Sequence, residues 1–519
     1  MNIAMTAAVV AHEIRLRSRR LSSLVAVFAV VAASWLIVLD PANGHSMVVI
    51  EKTRAIYNST ALALGTSVIA SFLLGLGGFY LVRGRTRDDL VNGVGAVLAA
   101  TSVSNAAFVF ARWLGAVAYL VMLVLAMAAT MMVLQAVRGE APLEPLVFLQ
   151  MYALMLLPTL LLAASVAVLC DNWRPLMGKG GDVLYFVLWI GQFSAMPSLI
   201  GKHSDKLGSL AAIDISGLGT IVHRMREIFH SDQFSFGGGQ FDASLPSIVL
   251  HDFWTWEMVA MRVTCMLVTI LPLVPAMLLF HRYAPDRVKS FSVSRNSLWS
   301  ILNRLLQPVT ALIRPLFSIA MRTPAFAGQV LAEMALALKA NPVALVAILI
   351  LWLIGAGVNT SDLGGVLAAA MACWGILISD ISVRDMQSAT SALTAVVPGG
   401  TSRRYWRHLL VTALLGFVCA APVLLRWLDV NPMGALALLT GVFALSAVAN
   451  TLGRLSRTGR TFLALFLFYL YVATQVKSEP WFDVVGFNGL ANTTTIVSVF
   501  LAGILAAAAG FVYNQRARN

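Results

Sequence analysis

Apolar runs of about 20 residues, the length a helix needs to cross a bilayer, recur along this 519-residue chain between short basic segments. In the first half they lie near 21–39, 61–82, 107–136, 147–170, 183–200 and 257–280. The second half carries six more, near 343–358, 364–381, 409–427, 433–452, 462–476 and 494–513. One polar interruption has its own period: after Arg83, Arg85, Arg87, Asp88 and Asp89, the residues Leu90, Val94, Val97 and Leu98 form one apolar stripe of a helix. A basic amphipathic helix between two spans lies along the membrane face rather than across it. The design returns where Arg384 and Asp385 precede Met386, Leu393 and Val397, and Pro398-Gly399-Gly400 ends the helix. Asp88 to Thr101 and Asp385 to Pro398 are both separations of 13 residues, and each copy closes on basic residues, Arg112 in one and Arg403, Arg404 and Arg407 in the other.

Charge gives the runs a direction. Arg83, Arg85 and Arg87, Arg174 and Lys179, Arg403, Arg404 and Arg407, and Arg454, Arg457 and Arg460 fall in alternate loops, with Arg516 and Arg518 in the tail. The intervening loops 40–60, 137–146, 359–363, 428–432 and 477–493 are short and less basic. The positive-inside rule then puts both termini in the cytoplasm. The long segment 201–256 becomes an external loop, with Gly237-Gly238-Gly239 read as a flexible turn and Ile213 to Phe229 as helical. Ser18-Arg19-Arg20 resembles a twin-arginine export signal, but with so many spans downstream these arginines read as the inside anchor of the first.

Composition agrees. The chain is 59% hydrophobic and 12% charged, with mean hydropathy +0.81, against about 25% charged in a soluble protein. A net charge of +13 spread in short clusters fits cytoplasmic loops, not a nucleic-acid surface. Cys170, Cys265, Cys373 and Cys419 lie in or beside apolar runs without metal spacing, and read as small core residues.

The halves align with each other. At an offset of 281, SVAVLCDNWRPLMGKGGDVLYF lies over SAVANTLGRLSRTGRTFLALFL, placing Gly178-Lys179 on Gly459-Arg460. At an offset of 320, Glu13 pairs with Glu333 and Arg19 with Lys339. Two six-span copies that both begin inside make a parallel repeat. The expected fold is an all-α integral membrane protein of about 12 spans, with halves at 1–280 and 331–519. Between them, 281–330 holds Arg282, Arg287, Lys289, Arg295, Arg304, Arg314 and Arg322. Leu302, Leu305, Leu306, Val309 and Leu312 there have the spacing of an interfacial linker helix.

Candidate chemistry is sparse. Met177-Gly178-Lys179-Gly180 is not a phosphate loop, because Trp173 stands where the first glycine belongs and Gly180 where the hydroxyl belongs. His203, His223, His230 and His251, with Asp205, Asp214, Asp232, Asp242 and Asp252, match no metal spacing, so no metal is assigned. Gln192, Ser194, Asn450, Tyr469, Tyr471 and Gln475 are polar positions within spans, read either as lining a pathway or as interhelical hydrogen bonds. Glu257 and Arg262 read as interface anchors, and no charge lies clearly mid-span. Hydrolase and protease motifs are missing, which leaves an external His251-Asp252 base as the one catalytic alternative.

Each half resembles the permease subunit of a type-2 ABC exporter. The resemblance rests on an elbow helix carrying Glu13 or Glu333, six spans, and the amphipathic segment between the second and third. It rests also on the ATPVS-like turn Ala100-Thr101-Ser102-Val103-Ser104 and the pair Arg112-Trp113. The second half departs from it, with Pro398-Gly399-Gly400-Thr401-Ser402 in place of the turn. The resemblance implies a bacterial inner-membrane exporter permease that works with a separate cytoplasmic ATPase, two copies per chain, which carries the ATP and magnesium. It implies ATPase coupling through Arg87, Asp88, Arg384 and Asp385, with Glu13 and Glu333 steadying the elbows. Membrane lipid and a periplasmic accessory protein are the further expected partners. The rival readings are an ion-coupled secondary transporter of twelve spans and a flippase without an ATPase.

Overall fold

The computed structural model describes residues 3–19, 21–38, 40–41, 44–91, 93–101, 103–201, 209–231, 233–283, 305–387, 390, 400–475 and 480–516. Its contacts divide the chain into two units, Met1–Lys289 and Ser290–Asn519. Among the described residues nine helices are long and apolar enough to cross a membrane, or ten if one bent pair counts as a span. This is a multi-pass membrane protein built almost entirely of helices. The two other predicted runs, near 21–39 and 462–476, form helices of 17 residues.

The first unit opens with α1 (Ile3–Ser18), α2 (Leu21–Ile37) and α3 (Ser59–Val82). Two short helices follow, α4 (Arg85–Val91) and α5 (Val94–Ala99), then the long helices α6 (Asn105–Arg138) and α7 (Pro145–Asn172). The unit ends with α8 (Lys179–Ser194), α9 (Met196–Gly201), α10 (Leu218–Phe229), α11 (Trp256–Ile270) and α12 (Leu273–Leu278). Capping fixes where the spans start. The Asn58 side chain accepts from the Ala61 N–H at 2.8 Å, and the Ser104 hydroxyl accepts from the Ala107 N–H at 3.3 Å. Helix α7 packs against α3, α6 and α11. The apolar windows of α3 and α7 are each 72% buried, against 28% for the α11–α12 segment, so the latter turns most of its apolar surface outward. Such exposure suits a lipid solvent, in which helices associate by packing and hydrogen bonding.

A small sheet corrects the reading of the external loop. Strands β1 (His45–Ile50), β2 (Thr53–Arg54) and β3 (Phe234–Gln240) run antiparallel in the order β2-β1-β3. Gly237-Gly238-Gly239 therefore belongs to a strand and not to a flexible turn, with Phe234 opposite Ile50 and Gly239 opposite Ser46. The β-branched run of β1 needs a partner for its backbone, and β3 supplies it across a long sequence gap. The helix expected over 88–101 also changes. It begins at Arg85 and breaks at Gly93, whose φ of +72° a residue with a side chain rarely adopts.

The second unit contains α13 (Arg314–Arg322), α14 (Ala325–Ala340), α15 (Pro342–Gly357), α16 (Leu363–Ile378) and α17 (Arg384–Gln387). Helices α18 (Gly400–Val430), α19 (Pro432–Ser456), α20 (Gly459–Gln475) and α21 (Thr493–Arg516) complete it. Pro342 lacks an N–H to continue α14, and the axis turns by 97° between α14 and α15. Among the described residues, 305–330 of the linker are more broken than the apolar spacing suggests. A 3₁₀ stretch, Gln307–Ile313, precedes α13, with Pro308 and Pro315 interrupting regular hydrogen bonding. Leu302 lies outside the described residues, as do 388–389 and 391–399; of the helix expected at 385–397, residues 385–387 are helical and Thr390 donates its N–H to the Asp385 carbonyl at 3.0 Å outside any helix.

Candidate functional site

Glu13 is the centre of the first site. It faces inward from α1 and is 4% exposed. Three guanidinium groups surround its carboxylate: Arg85 at 3.2 Å, Arg17 at 3.5 Å and Arg112 at 3.7 Å. The close approach of α1 to α6 depends on Gly115, where a Cβ would stand 2.7 Å from that of Glu13. Asp89, also buried, takes the other side of Arg85 at 3.3 Å and pairs tightly with Arg112. The Tyr283 hydroxyl donates to Asp89 at 2.6 Å. Burial pushes the Tyr283 phenol well above its ordinary pKa, so it remains a donor. Two carboxylates and three guanidinium groups thus tie α1, α4 and α6 together, each carboxylate compensated as burial requires.

Arg282 extends this lock to the turn that follows α5. Its guanidinium donates to the carbonyls of Ala99 and Thr101, and to the Asn105 side chain at 3.2 Å. Beyond the lock, α5 leaves Val94 42% and Val97 69% exposed. The stripe read as one apolar face is therefore partly outward, because the break at Gly93 turns α5 away from the axis of α4. Behind α4, Arg83 and Asp182 form a fully buried ion pair, and Asp171 accepts from the Gly84 N–H at 3.0 Å.

The second unit has a cluster of similar make-up. Glu333 on α14 meets Arg407 at 2.5 Å and His408 Nε2 at 3.3 Å, both on α18. Asp385 lies 3.9 Å from both Arg404 and His408. Arg454 of α19 donates to His408 Nδ1 at 3.3 Å and to the Asn514 side chain. Because arginine only donates, Nδ1 is an acceptor here and the Nε2 proton faces Glu333. Both Asp89 with Arg112 and Asp385 with His408 are separated by 23 residues.

Of the six predicted coupling residues, Glu13, Glu333 and Asp385 sit in these clusters, and Arg384 precedes Asp385 at the start of α17. The side chains of Arg87 and Asp88 lie outside the described residues. The residues that sequence reasoning missed are Arg85, Asp89 and Tyr283. The last falls in what reads as linker, so only its return to Asp89 reveals it.

The pathway candidates fall in both units, Gln192 and Ser194 in the first and Asn450, Tyr469 and Gln475 in the second. Gln192 accepts from the Ile215 N–H at 2.9 Å, and Ser194 is exposed. Asn450 is buried and donates to Thr412 at 3.0 Å and to the Ser446 carbonyl at 2.9 Å. Tyr469 is part of α20 beside the 480–489 turn region, and the Gln475 side chain lies outside the described residues. Arg262 is not an interface anchor: it is 0% exposed and donates to the carbonyls of Leu154, Met155, Asp214 and Ile215. A guanidinium has five donors, enough to satisfy this bent backbone where water is excluded. Asp214 in turn accepts from the Gly217 and Thr220 N–H groups and holds the start of α10. Among the described residues no three His, Cys, Asp or Glu side chains converge as a metal site, and His203, Asp205 and Asp232 lie outside them. No protein-family model matches the chain, and no curated protein is detectably similar to it.

Proposed function

We propose that this chain is the permease of an ATP-driven exporter of the type-2 ABC class, with two six-span halves fused in tandem. In this reading the short helices α2, α15 and α20 complete twelve spans, both termini are cytoplasmic, and the membrane is the bacterial inner membrane. A separate cytoplasmic ATPase, two copies per chain, would bind ATP and magnesium and hydrolyse the nucleotide.

One observation carries the reading. In each unit a glutamate of a short helix ahead of the spans, buried in the first and part-buried in the second, is paired with arginines or a histidine in the first turns of a long helix, beside the connector that precedes it. A connector mounted this way transmits force, because pushing on it moves α1 and α6, or α14 and α18, instead of bending a loop. The outward Val94 and Val97 on α5 offer the apolar contact that a partner's groove would take. An ion-driven transporter has no need of a stiff mount at that place.

The experiment is mass spectrometry of proteins that co-purify with the tagged chain from its native membrane in mild detergent. A stoichiometric ATPase with its own phosphate loop, near two copies per chain, is the expected outcome. No ATPase, even after crosslinking in intact cells, would overturn the proposal and favour an ion-driven transporter.

A further inference from the structure

An open groove of roughly 390 Å³ runs between the start of α14 and the start of α18, lined by Ala325, Phe326, Gln329, Ser402, Arg403 and Trp406. That volume is within the usual range for small-molecule sites. Its depth follows from the sequence of α18. Arg403, Arg404, Arg407 and His408 occupy the first turns, and the apolar run begins at Leu409. Polar first turns followed by an apolar run place the groove at the level of lipid headgroups.

The neighbouring arginines are engaged, since Arg404 approaches Asp385 and Arg407 is bonded to Glu333. Arg403, in contrast, is exposed and has no carboxylate within 4.0 Å among the described residues. Ser402 accepts from Gln515 Nε2 at 2.6 Å, which leaves its own hydroxyl proton to donate. Below Arg403 on the same side of α18, Trp406, Leu410 and Leu414 stand at four-residue intervals, 43%, 42% and 37% exposed. An arginine at headgroup depth with an apolar stripe leading into the hydrocarbon has the polarity profile of a phospholipid. The chain leading into α14 adds charge of the same sign: from Arg287 to Ala332 it has six Arg or Lys residues and no Asp or Glu.

We infer that this groove binds one anionic phospholipid, with its phosphate on Arg403, Ser402 and Gln329 and an acyl chain along Trp406, Leu410 and Leu414. A planar guanidinium matches a phosphate bidentately. The surrounding arginines favour a headgroup with net negative charge over a zwitterionic one. The inference concerns the second unit alone and stands whichever energy source drives the protein.

The test is native mass spectrometry of the delipidated full chain titrated with phosphatidylglycerol or phosphatidylcholine of identical acyl chains. The expected result is one phosphatidylglycerol per chain, held roughly tenfold more tightly than phosphatidylcholine, as one charge-assisted contact supplies. Arg403→Gln should bring it to the phosphatidylcholine level, Trp406→Ala should weaken both lipids, and Arg516→Gln, at an exposed arginine outside the groove, should change neither. Arg403 and Arg516 are exposed, so their variants keep the helix packing, whereas Trp406→Ala also removes a ring contact with Phe511, so the Arg403→Gln comparison decides. Equal retention of the two lipids, or an unchanged preference in Arg403→Gln, overturns the inference. Displacement of phosphatidylglycerol by millimolar inorganic phosphate also overturns it and makes the groove a free-phosphate site.

Discussion

Replacing Glu13 by glutamine removes one charge and leaves the shape intact. The variant keeps an oxygen for the Arg85 Nε–H, at 3.2 Å in the native chain, but Arg17 at 3.5 Å and Arg112 at 3.7 Å lose their attraction to it. At an effective dielectric constant near 20, a pair at this distance is worth about 5 kcal/mol before desolvation is counted. Removing one member of a buried ion pair costs about 3–5 kcal/mol net. Asp89 is then the one carboxylate facing the same guanidinium groups, so little relaxation can offset the loss. The loss belongs to the docking of α1 on α6, which hydrogen exchange reads as local opening. Amides of α1 should exchange roughly 100- to 4,000-fold faster in Glu13→Gln, while those of α7 stay unchanged. Arg15→Gln, at an exposed position of the same helix, should leave exchange unaltered. Acceleration of α1 by less than about threefold would refute the view that this carboxylate organises the cluster.

The second cluster should respond less. Glu333 is 13% exposed, so Glu333→Gln should cost α14 about 1–3 kcal/mol, read as faster exchange in 325–340. Arg262→Met removes the guanidinium donors from four backbone carbonyls, of which Asp214 keeps the Gly217 N–H and Ile215 the Thr159 hydroxyl, and should destabilise the first unit by about 2–4 kcal/mol, seen as a lower melting temperature in detergent; Arg262→Lys should recover part of it. Burial alone would raise the Glu140 carboxyl, but hydrogen bonds from Arg54 and the Tyr57 N–H outweigh it and hold its pKa below 4.5. A depressed carboxyl stabilises the folded form above its unfolded pKa, and the effect is lost as pH falls through the folded pKa. Glu140→Gln should therefore lower the melting temperature at pH 7, by no more than about 1 kcal/mol for so exposed a pair, and the difference should vanish in acid. Charge reversal at Arg87 and Arg384 together should cut ATPase co-purification at least about tenfold with unchanged thermal stability, and full association would sink the coupling role.

Much of this architecture could be read from the chain because hydrophobic length and charge bias are local properties. The runs near 61–82, 107–136 and 147–170 became α3, α6 and α7 with ends shifted by a few residues, since Asn58, Ser104 and Pro145 mark helix starts in the sequence. What stayed hidden depends on distant pairing. Strand β3 has three glycines and a poor strand pattern, and its partner β1 lies almost 190 residues away. Arg262 looked like an interfacial anchor because hydropathy does not record that a bent segment near Asp214 would need its donors. Asp88 and Asp89 are equivalent by composition. Helix phase alone puts Asp89 among Arg85, Arg112 and Tyr283.

In the proposed reading, the two ionic clusters let a loose sequence repeat serve one mechanical task in both units. Arg112 carries a permanent charge and meets two carboxylates. His408, also 23 residues after its aspartate, meets Glu333 and Asp385 but accepts a hydrogen bond from Arg454 on its far side. The first cluster therefore uses a fixed cation and a tyrosine, while the second divides the cationic work among Arg404, Arg407 and Arg454 around a histidine held in one tautomer. Each links a pre-span helix to a basic helix start through a glutamate, buried in the first unit and part-buried in the second, and that link is all the proposed mount requires. Identity at individual positions can drift as long as the carboxylate stays compensated, because the cost of an unpaired buried charge exceeds that of exchanging one partner for another. In the proposed repeat the glutamates are therefore the positions to compare between the units, and the cations around them are where the two clusters differ.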